Sequence, residues 1–417
     1  MMRKPVLTIF YQFNPWNSTI GGIQTLIRVF IKYAPDDFDV RLVGTGDSRN
    51  QNIGEWQDAV FANKPIKFLP LFALENDNIR GLIPTTVKYT AALLGRNFAS
   101  DFMHFHRLEP TLATWHWQGE KTLFIHNDIH AQMKAEGNKK AILWRRFPLA
   151  YFALESLLVR QFSQILSCNT KSAQFYKQHY PSLSDRIAYI KNSFDDEVFY
   201  ALSQFDRATQ KRELARKLGK EEQTKFILFA GRLHPQKDPV LLVRALSVLK
   251  QQLNSDNNEI KVHLLIVGEG ELTNELRLHI DQLGLTNFVT MLGALTQVEL
   301  AHLHRVCDVF ALSSAYEGLP LVALEALACG TPVVTTQTGE TPSLLTHDSG
   351  VVCSERTPEC IAQALRQILS KNDNYRDQAC TRVARPYAAR SVVNEVYGDM
   401  LRRWSEKVPV VQEIPTN

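Results

Sequence analysis

Residues 313–330, SSAYEGLPLVALEALACG, place two glutamates, Glu317 and Glu325, on either side of a Gly-Leu-Pro turn that opens an apolar helix. Pro320 suits the first helical position. Its ring presets a helical φ, and the N–H it lacks would be unpaired there anyway. Free N–H groups at that helix start, with the macrodipole behind them, favour an anion. Glu325 follows five residues later, about 7–8 Å along the axis at ~1.5 Å per residue. A phosphate held at the turn would therefore have one carboxylate on each side. Carboxylates beside a phosphate make chemical sense as acceptors of hydrogen bonds from hydroxyls. A nucleotide sugar has that layout, with a ribose on one flank of a pyrophosphate and a hexose on the other. The plainer alternative is an amphipathic helix with a solvated glutamate at each end.

A second cluster sharpens the choice. Residues 226–230, FILFA, read as a buried parallel strand, and GRLHPQKDP follows at 231–239. Asp238 suits an N-cap and Pro239 the first position of a helix whose Leu242, Ala245, Leu246 and Leu249 recur at helical spacing. Loops after the carboxyl ends of strands are where open α/β sheets bind ligands. This one carries Arg232 and Lys237, a forked donor and a point charge, both suited to phosphate. Gly231 lets the backbone come close. Two surface cations in an ordinary βα loop would look the same in isolation.

These segments together resemble retaining glycosyltransferases of family 4, the glycosyl transferases group 1. The family's E-x7-E motif matches Glu317 to Glu325, and its G-R…K loop matches Gly231, Arg232 and Lys237. Between them LLIVGEGELTNEL (264–276) resembles its V-G-x-G strand and helix, and VTMLGAL (289–295) its nucleobase strand. The four motifs stand in the family's order and span roughly residues 195–385. One departure is that Gly318, Leu319 and Pro320 stand where many members have Gly-Phe-Gly, which removes one N–H contact to the sugar. The resemblance implies an α/β, GT-B fold: two Rossmann-like doubly wound domains with a cleft between them and a C-terminal helix crossing back. The implied boundaries are 1–192 for an acceptor domain, 193–385 for a nucleotide-sugar domain, 386–405 for the returning helix and 406–417 for a tail. It implies donor contacts from Gly21, Gly22, Gly231, Arg232, Lys237, Gly268, Leu292, Gly293, Leu295, Glu317, Gly318, Leu319, Leu321, Val322 and Glu325. Catalytic roles fall on His126, Arg232, Lys237 and Glu317.

Length and composition agree. A chain of 417 residues exceeds what one core usually fills, so two domains are expected. Strands and helices alternate throughout, as in doubly wound sheets. In the first half, strands are expected near 6–11, 39–44, 101–105, 121–125, 163–167 and 187–190. Helices are expected near 21–34, 83–95, 141–162 and 170–179. NSFDDEVF at 192–199 reads as the interdomain linker. The six cysteines show no C-x-x-C pair and read as reduced core residues of a cytoplasmic protein. No apolar run approaches the ~20 residues of a membrane span.

The first half adds three candidates. Gly21 and Gly22 open a helix after the first strand and resemble the family's G-G loop over the pyrophosphate. In FIHNDIH, His126 matches a family histidine that faces the donor sugar, and His130 is a weaker neighbour. In HFHRLEP, His106, Arg107 and Glu109 either contact the acceptor or, for Arg107 and Glu109, pair with each other.

The net charge is +4, and the excess gathers at 133–152, where Lys134, Lys139, Lys140, Arg145 and Arg146 interleave with Trp144, Phe147, Tyr151 and Phe152. Such a pattern suits peripheral attachment to the anionic inner face of a cell membrane. A solvated basic helix packed on its aromatic side is the alternative. No nucleic-acid module is present in the pattern. The expected partners are a UDP- or GDP-sugar donor and a glycan or lipid-linked glycan acceptor of bacterial surface polysaccharide synthesis. No cofactor and no metal are expected, since no D-x-D motif stands where one would be needed and the cationic loop can replace it. A nucleotide-sugar epimerase or phosphorylase of the same architecture, and a non-catalytic partner subunit, are the alternative functions.

Overall fold

The computed structural model describes residues 3–17, 21–47, 51–74, 83–126, 148–255, 260–370 and 376–407. Most of the basic–aromatic stretch (133–147), His130 and the tail beyond Lys407 lie outside the described residues. The chain forms two compact units, Met1–Asn192 with Arg390–Asn417, and Ser193–Ala389.

The first unit runs β1 (Val6–Phe10), α1 (Gly22–Lys32), β2 (Asp39–Gly46), β3 (Gln57–Phe61), β4 (Lys64–Ala73), α2 (Thr85–Leu93), β5 (Phe102–Phe105), β6 (Glu120–Ile125), α3 (Pro148–Leu158), β7 (Gln164–Ser167), α4 (Thr170–His179) and β8 (Ile187–Tyr189). Its sheet has the order β3-β4-β2-β1-β5-β6-β7-β8, parallel except for the β3–β4 pair. Strand order reverses between β1 and β5. The loops after β1, β5 and β6 therefore share the crevice edge where such sheets take ligands.

The β3–β4 hairpin is an addition to the expected strands. Ala62 and Asn63 form its two-residue turn, both with positive φ (53° and 62°), as the twist of a tight hairpin requires. Pro65 and Pro70 mask β4 in the sequence, because proline cannot donate to a ladder. The fold places Pro70 at a register shift between β2 and β4, and Pro65 against the edge strand β3. The helix expected over 141–162 is described only from Pro148, and it ends at Leu158 in a 3-10 turn, Val159–Gln161.

The second unit runs α5 (Gln204–Lys217), β9 (Lys225–Ala230), α6 (Pro239–Ser255), β10 (Val262–Val267), α7 (Thr273–Gln282), β11 (Val289–Gly293), α8 (Gln297–Val306), β12 (Val309–Leu312), α9 (Leu321–Ala328), β13 (Val333–Thr335), α10 (Thr341–Leu344), β14 (Gly350–Val352), α11 (Pro358–Leu369) and α12 (Arg376–Ala384). Its sheet is wholly parallel, in the order β11-β10-β9-β12-β13-β14, and reverses between β9 and β12. The central strands are buried along almost their whole length, which is why they read as unbroken apolar runs. Asp238 caps α6 as expected, accepting from the Leu241 N–H at 3.1 Å. Thr296 and Glu299 close a capping box on α8.

The chain enters and leaves this unit side by side. Phe194 pairs with Ala388 as an isolated bridge, and its carbonyl accepts from Ala389 N–H at 2.9 Å. Beyond that bridge α13 (Ala389–Lys407) joins the first unit from Arg390 onward. It starts three residues later than expected, after a 3-10 turn at Arg385–Tyr387. Tyr397 is fully buried and donates to Phe30 O at 3.0 Å, while Arg403 and Lys407 pair with the buried Glu120 at the start of β6. Five cysteines are buried and Cys360 is partly so; all are free.

Candidate active site

The crevice edge of the second sheet collects the loops that follow β9, β10, β11, β12 and β13. The first and fourth flank the reversal point and carry the two sequence clusters. They are laced together. Ala315 N–H donates to Gln236 O at 2.8 Å, and the Ser313 hydroxyl reaches the carbonyls of Lys237 and Asp238 at 3.0 and 2.8 Å. Arg356, after β14, ties both loops, pairing with the Asp238 carboxylate and donating to Ser313 O at 3.3 Å. That brace holds Asp238 at φ +43°, an unusual backbone for a residue other than glycine.

The lacing sets Lys237 against Glu317. Lys237 Nζ lies 2.5 Å from Glu317 Oε1, and the Ser314 hydroxyl donates to the same oxygen at 2.6 Å. Glu317 is nearly buried, so its charge is held by two donors. Arg232 is exposed and has no ion-pair or hydrogen-bond partner among the described residues. A guanidinium left free at the mouth of a reversal point is a ready anion site.

Helix α9 begins at Leu321, so Pro320 is its N-cap, with extended backbone (φ −69°, ψ 125°), rather than its first helical residue. The correction moves the helix start by one position and leaves the N–H groups of Leu321 and Val322 unpaired within the helix. Leu319 and Leu321 are buried and Val322 is partly so; they anchor the turn in the core beneath. Glu325 sits one turn in, only 4% exposed, and its carboxyl has no hydrogen-bond partner among the described residues. Burial pushes its pKa from 4.5 up to about 8. A buried acid without a donor calls for a ligand that supplies one.

The loops after β10 and β11 meet the β9 loop by glycine. Gly268 has φ +122°, and a Cβ there would fall 2.0 Å from Gly231 O. Only hydrogen fits. Gly268 N–H donates to Gly293 O at 2.7 Å, and a cavity lined by Gly268, Glu269, Thr273, Arg277, Met291 and Gly293 opens beside them. Leu292 and Leu295 are half-buried under the β11 loop. Across the site, Gly339 (φ +67°) lets the loop after β13 touch Gly318, whose carbonyl accepts from Glu340 N–H at 2.8 Å. Gly231 and Gly318 thus serve as contact points between loops.

In the first unit the crevice edge holds Gly21, Gly22, His106, Arg107 and His126. Gly21 is the N-cap of α1 with no side-chain bond. His106 follows β5 and His126 follows β6, and the two rings stack, with His106 Nδ1 2.9 Å from His126 Nε2. Burial lowers the pKa of both, that of His126 to about 3 with Arg107 adding to the effect. Arg107 is exposed, and Glu109 opens a 3-10 helix, Glu109–Thr114.

Ser313, Ser314, Arg356 and His104 are not among the residues expected from the sequence. Ser314 stands three residues before Glu317, an i to i+3 spacing that could have flagged it. Arg356 had no local signal, since its partner lies far away in the chain.

Residues 210–383 match the family of glycosyl transferases group 1. A D-inositol 3-phosphate glycosyltransferase from Corynebacterium glutamicum is 29% identical over 213 residues, 51% of this chain and 50% of that one. The chain spans about half the length of the first relatives it matches. Among solved structures, a sucrose-phosphate synthase from Thermosynechococcus elongatus superposes with a TM-score of 0.74 at 15% identity, over 97% of this chain and 100% of that one. HepE of Anabaena, in complex with UDP-glucose, gives 0.69 at 18% identity, over 96% and 100%. At such identities the likeness is one of fold, and the fold is GT-B. The residues that match the glycosyl transferases group 1 family, 210–383, lie within the second unit.

Proposed function

We propose that the protein is a retaining, metal-independent glycosyltransferase of family 4 that moves a hexose-type sugar from a UDP- or GDP-sugar to a glycan or lipid-linked glycan. The observation that carries this reading is the reversal point of the second sheet. There a free Arg232, the Lys237–Glu317 pair and a buried, unpartnered Glu325 stand around the start of α9.

Each group has a task in such a transfer. Arg232, Lys237 and the N–H groups of Leu321 and Val322 stabilise the departing diphosphate, the electrostatic contribution that usually dominates. Glu317, released in part as Lys237 turns to phosphate, accepts from hydroxyls of the sugar. Glu325 accepts from the ribose hydroxyls, which supply the donor its burial lacks. The glycine-lined cavity beside Gly268 and Gly293 takes the base. Departure of the diphosphate on the face that the acceptor enters retains the anomeric configuration, and a diphosphate oxygen takes the acceptor's proton. Gly21, Gly22 and His126 act on the donor from the first unit; His106, Arg107 and Glu109 are the acceptor candidates.

The names of the relatives favour a second acceptor, a phosphorylated cyclitol, for which the exposed Arg107 is a suitable partner. Attachment to an anionic membrane through residues 133–152, and a role in surface polysaccharide synthesis at the cytoplasmic face, belong to the lipid-linked reading. Among the described residues, no helix is long and apolar enough to cross a membrane.

The test is a transfer assay with UDP- and GDP-hexoses, run with chelator present, against glycan, lipid-linked and inositol phosphate acceptors. We expect an α-linked product from an α-donor by NMR. Arg232→Ala and Lys237→Ala should each weaken nucleoside diphosphate binding by about 1.5–3 kcal/mol, the worth of a charged hydrogen bond. An inverted product, or full turnover in both variants, would overturn the assignment.

A further inference from the structure

His104 and His106 point to the same face of β5, since side chains alternate along a strand. His104 is paired in register with Thr122, which places His106, just past β5, opposite Phe124 and close to His126, just past β6. The rings follow that geometry. His106 lies flat on Phe124 at 4.8 Å and on His126 at 5.1 Å, while His104 meets Phe124 edge-on at 4.9 Å. Phe30 of α1 covers the inner end of the stack. His106 is only 4% exposed, so its hydrogen bond to His126 is made away from bulk water.

From this geometry we infer that His106 is the positioning residue of His126, holding its ring in one orientation and one tautomer at the crevice edge of the first unit. The inference rests on the proposed role of His126 in transfer. Between His106 Nδ1 and His126 Nε2 there is room for one proton. A neutral imidazole has one donor and one acceptor nitrogen, so the shared proton fixes the roles of both rings at once. Two protonated rings would put like charges face to face, and burial already disfavours either cation. The pair is therefore neutral near pH 7. Cys168 Sγ, 4.0 Å from His126 Nδ1, closes the other side of the ring with a weak sulfur contact. With Nε2 given to His106, the nitrogen of His126 left for a substrate is Nδ1, beside the Cys168 thiol, and it donates or accepts according to which ring holds the shared proton.

Two substitutions separate positioning from packing. His106→Phe keeps a flat ring on Phe124 and deletes both nitrogens. His106→Asn gives up the stack but returns an amide atom near the place of Nδ1. In the unliganded protein, 15N spectra of labelled histidines should show a single fixed tautomer for His126 in the wild type and in His106→Asn. In His106→Phe the two nitrogen shifts should converge toward an average. In the transfer assay, kcat should fall in His106→Phe by up to about tenfold, the worth of one neutral hydrogen bond. KM for the donor should change little, and His106→Asn should recover most of the loss. Unchanged His126 shifts in His106→Phe would overturn the proposal. So would a loss of activity in His106→Asn as large as in His106→Phe, because packing alone would then explain it. If the wild type transfers no sugar, the proposed function fails by itself, and the spectra still decide whether His106 sets the His126 tautomer.

Discussion

Glu325 shows at the scale of one residue how burial prepares a side chain for a ligand. In solution its carboxyl would titrate near 4.5; in the fold it does so near 8. Below pH ~4.5 the group is neutral in folded and unfolded chains alike. Between 4.5 and 8 only the unfolded chain ionises it, so folded stability falls through that window and levels off above it. At ~1.4 kcal/mol per pKa unit, the penalty above pH 8 is on the order of 5 kcal/mol at most. Glu325→Gln, which cannot ionise, should therefore gain on the wild type as pH rises from 4.5 to 8 in denaturant titrations. The same variant should bind a ribonucleoside diphosphate more weakly, with little change for its 2′,3′-dideoxy analogue. A stability difference flat across that pH range would show that the buried carboxyl is not the source.

The site depends, at the scale of elements, on loops rather than on helices or strands. Parallel strands end at one edge, so each βα loop meets its neighbours there, and close approach decides which residues fit. Gly268→Ala tests this. Its Cβ would collide with the Gly231 carbonyl, and that backbone atom cannot rotate away as a side chain could. Overpacking of this kind costs about 1–3 kcal/mol, and we expect nucleotide binding to weaken with it because Gly231 leads into Arg232. Calorimetric binding of UDP and GDP alongside thermal melts would register both effects. Wild-type affinity and Tm would mean that the loop can move aside. The β3–β4 hairpin illustrates the converse. Proline locally disfavours a strand, and tertiary placement at a register shift and an edge overrides that preference.

The whole molecule is two units, and the first is completed by the chain's last helix. Tyr397 on α13 is fully buried, packs on Phe38 at 4.9 Å and donates to Phe30 O. Tyr397→Ala should cost about 3–5 kcal/mol, as for other large aromatic truncations. In calorimetry the loss should fall on the transition of the first unit, while added UDP or GDP should raise chiefly that of the second. A single transition that responds to both changes would mean the units unfold as one. Much of this architecture was legible in the sequence. Apolar runs, the Asp238 cap and the glycines at loop starts are local signals, set by neighbours within a few positions, so the strands, the phosphate-type loop and the two glutamates could be found without coordinates. What the sequence could not state was who meets whom. The order of strands brought Arg356 to Asp238, Ser313 to Lys237 and His106 to His126, and it buried Glu325 without a donor. Those pairings follow from register and strand order, which sum weak preferences over the whole sheet. For that reason the sequence by itself determined the parts and their chemistry, and the tertiary structure alone decided their partners.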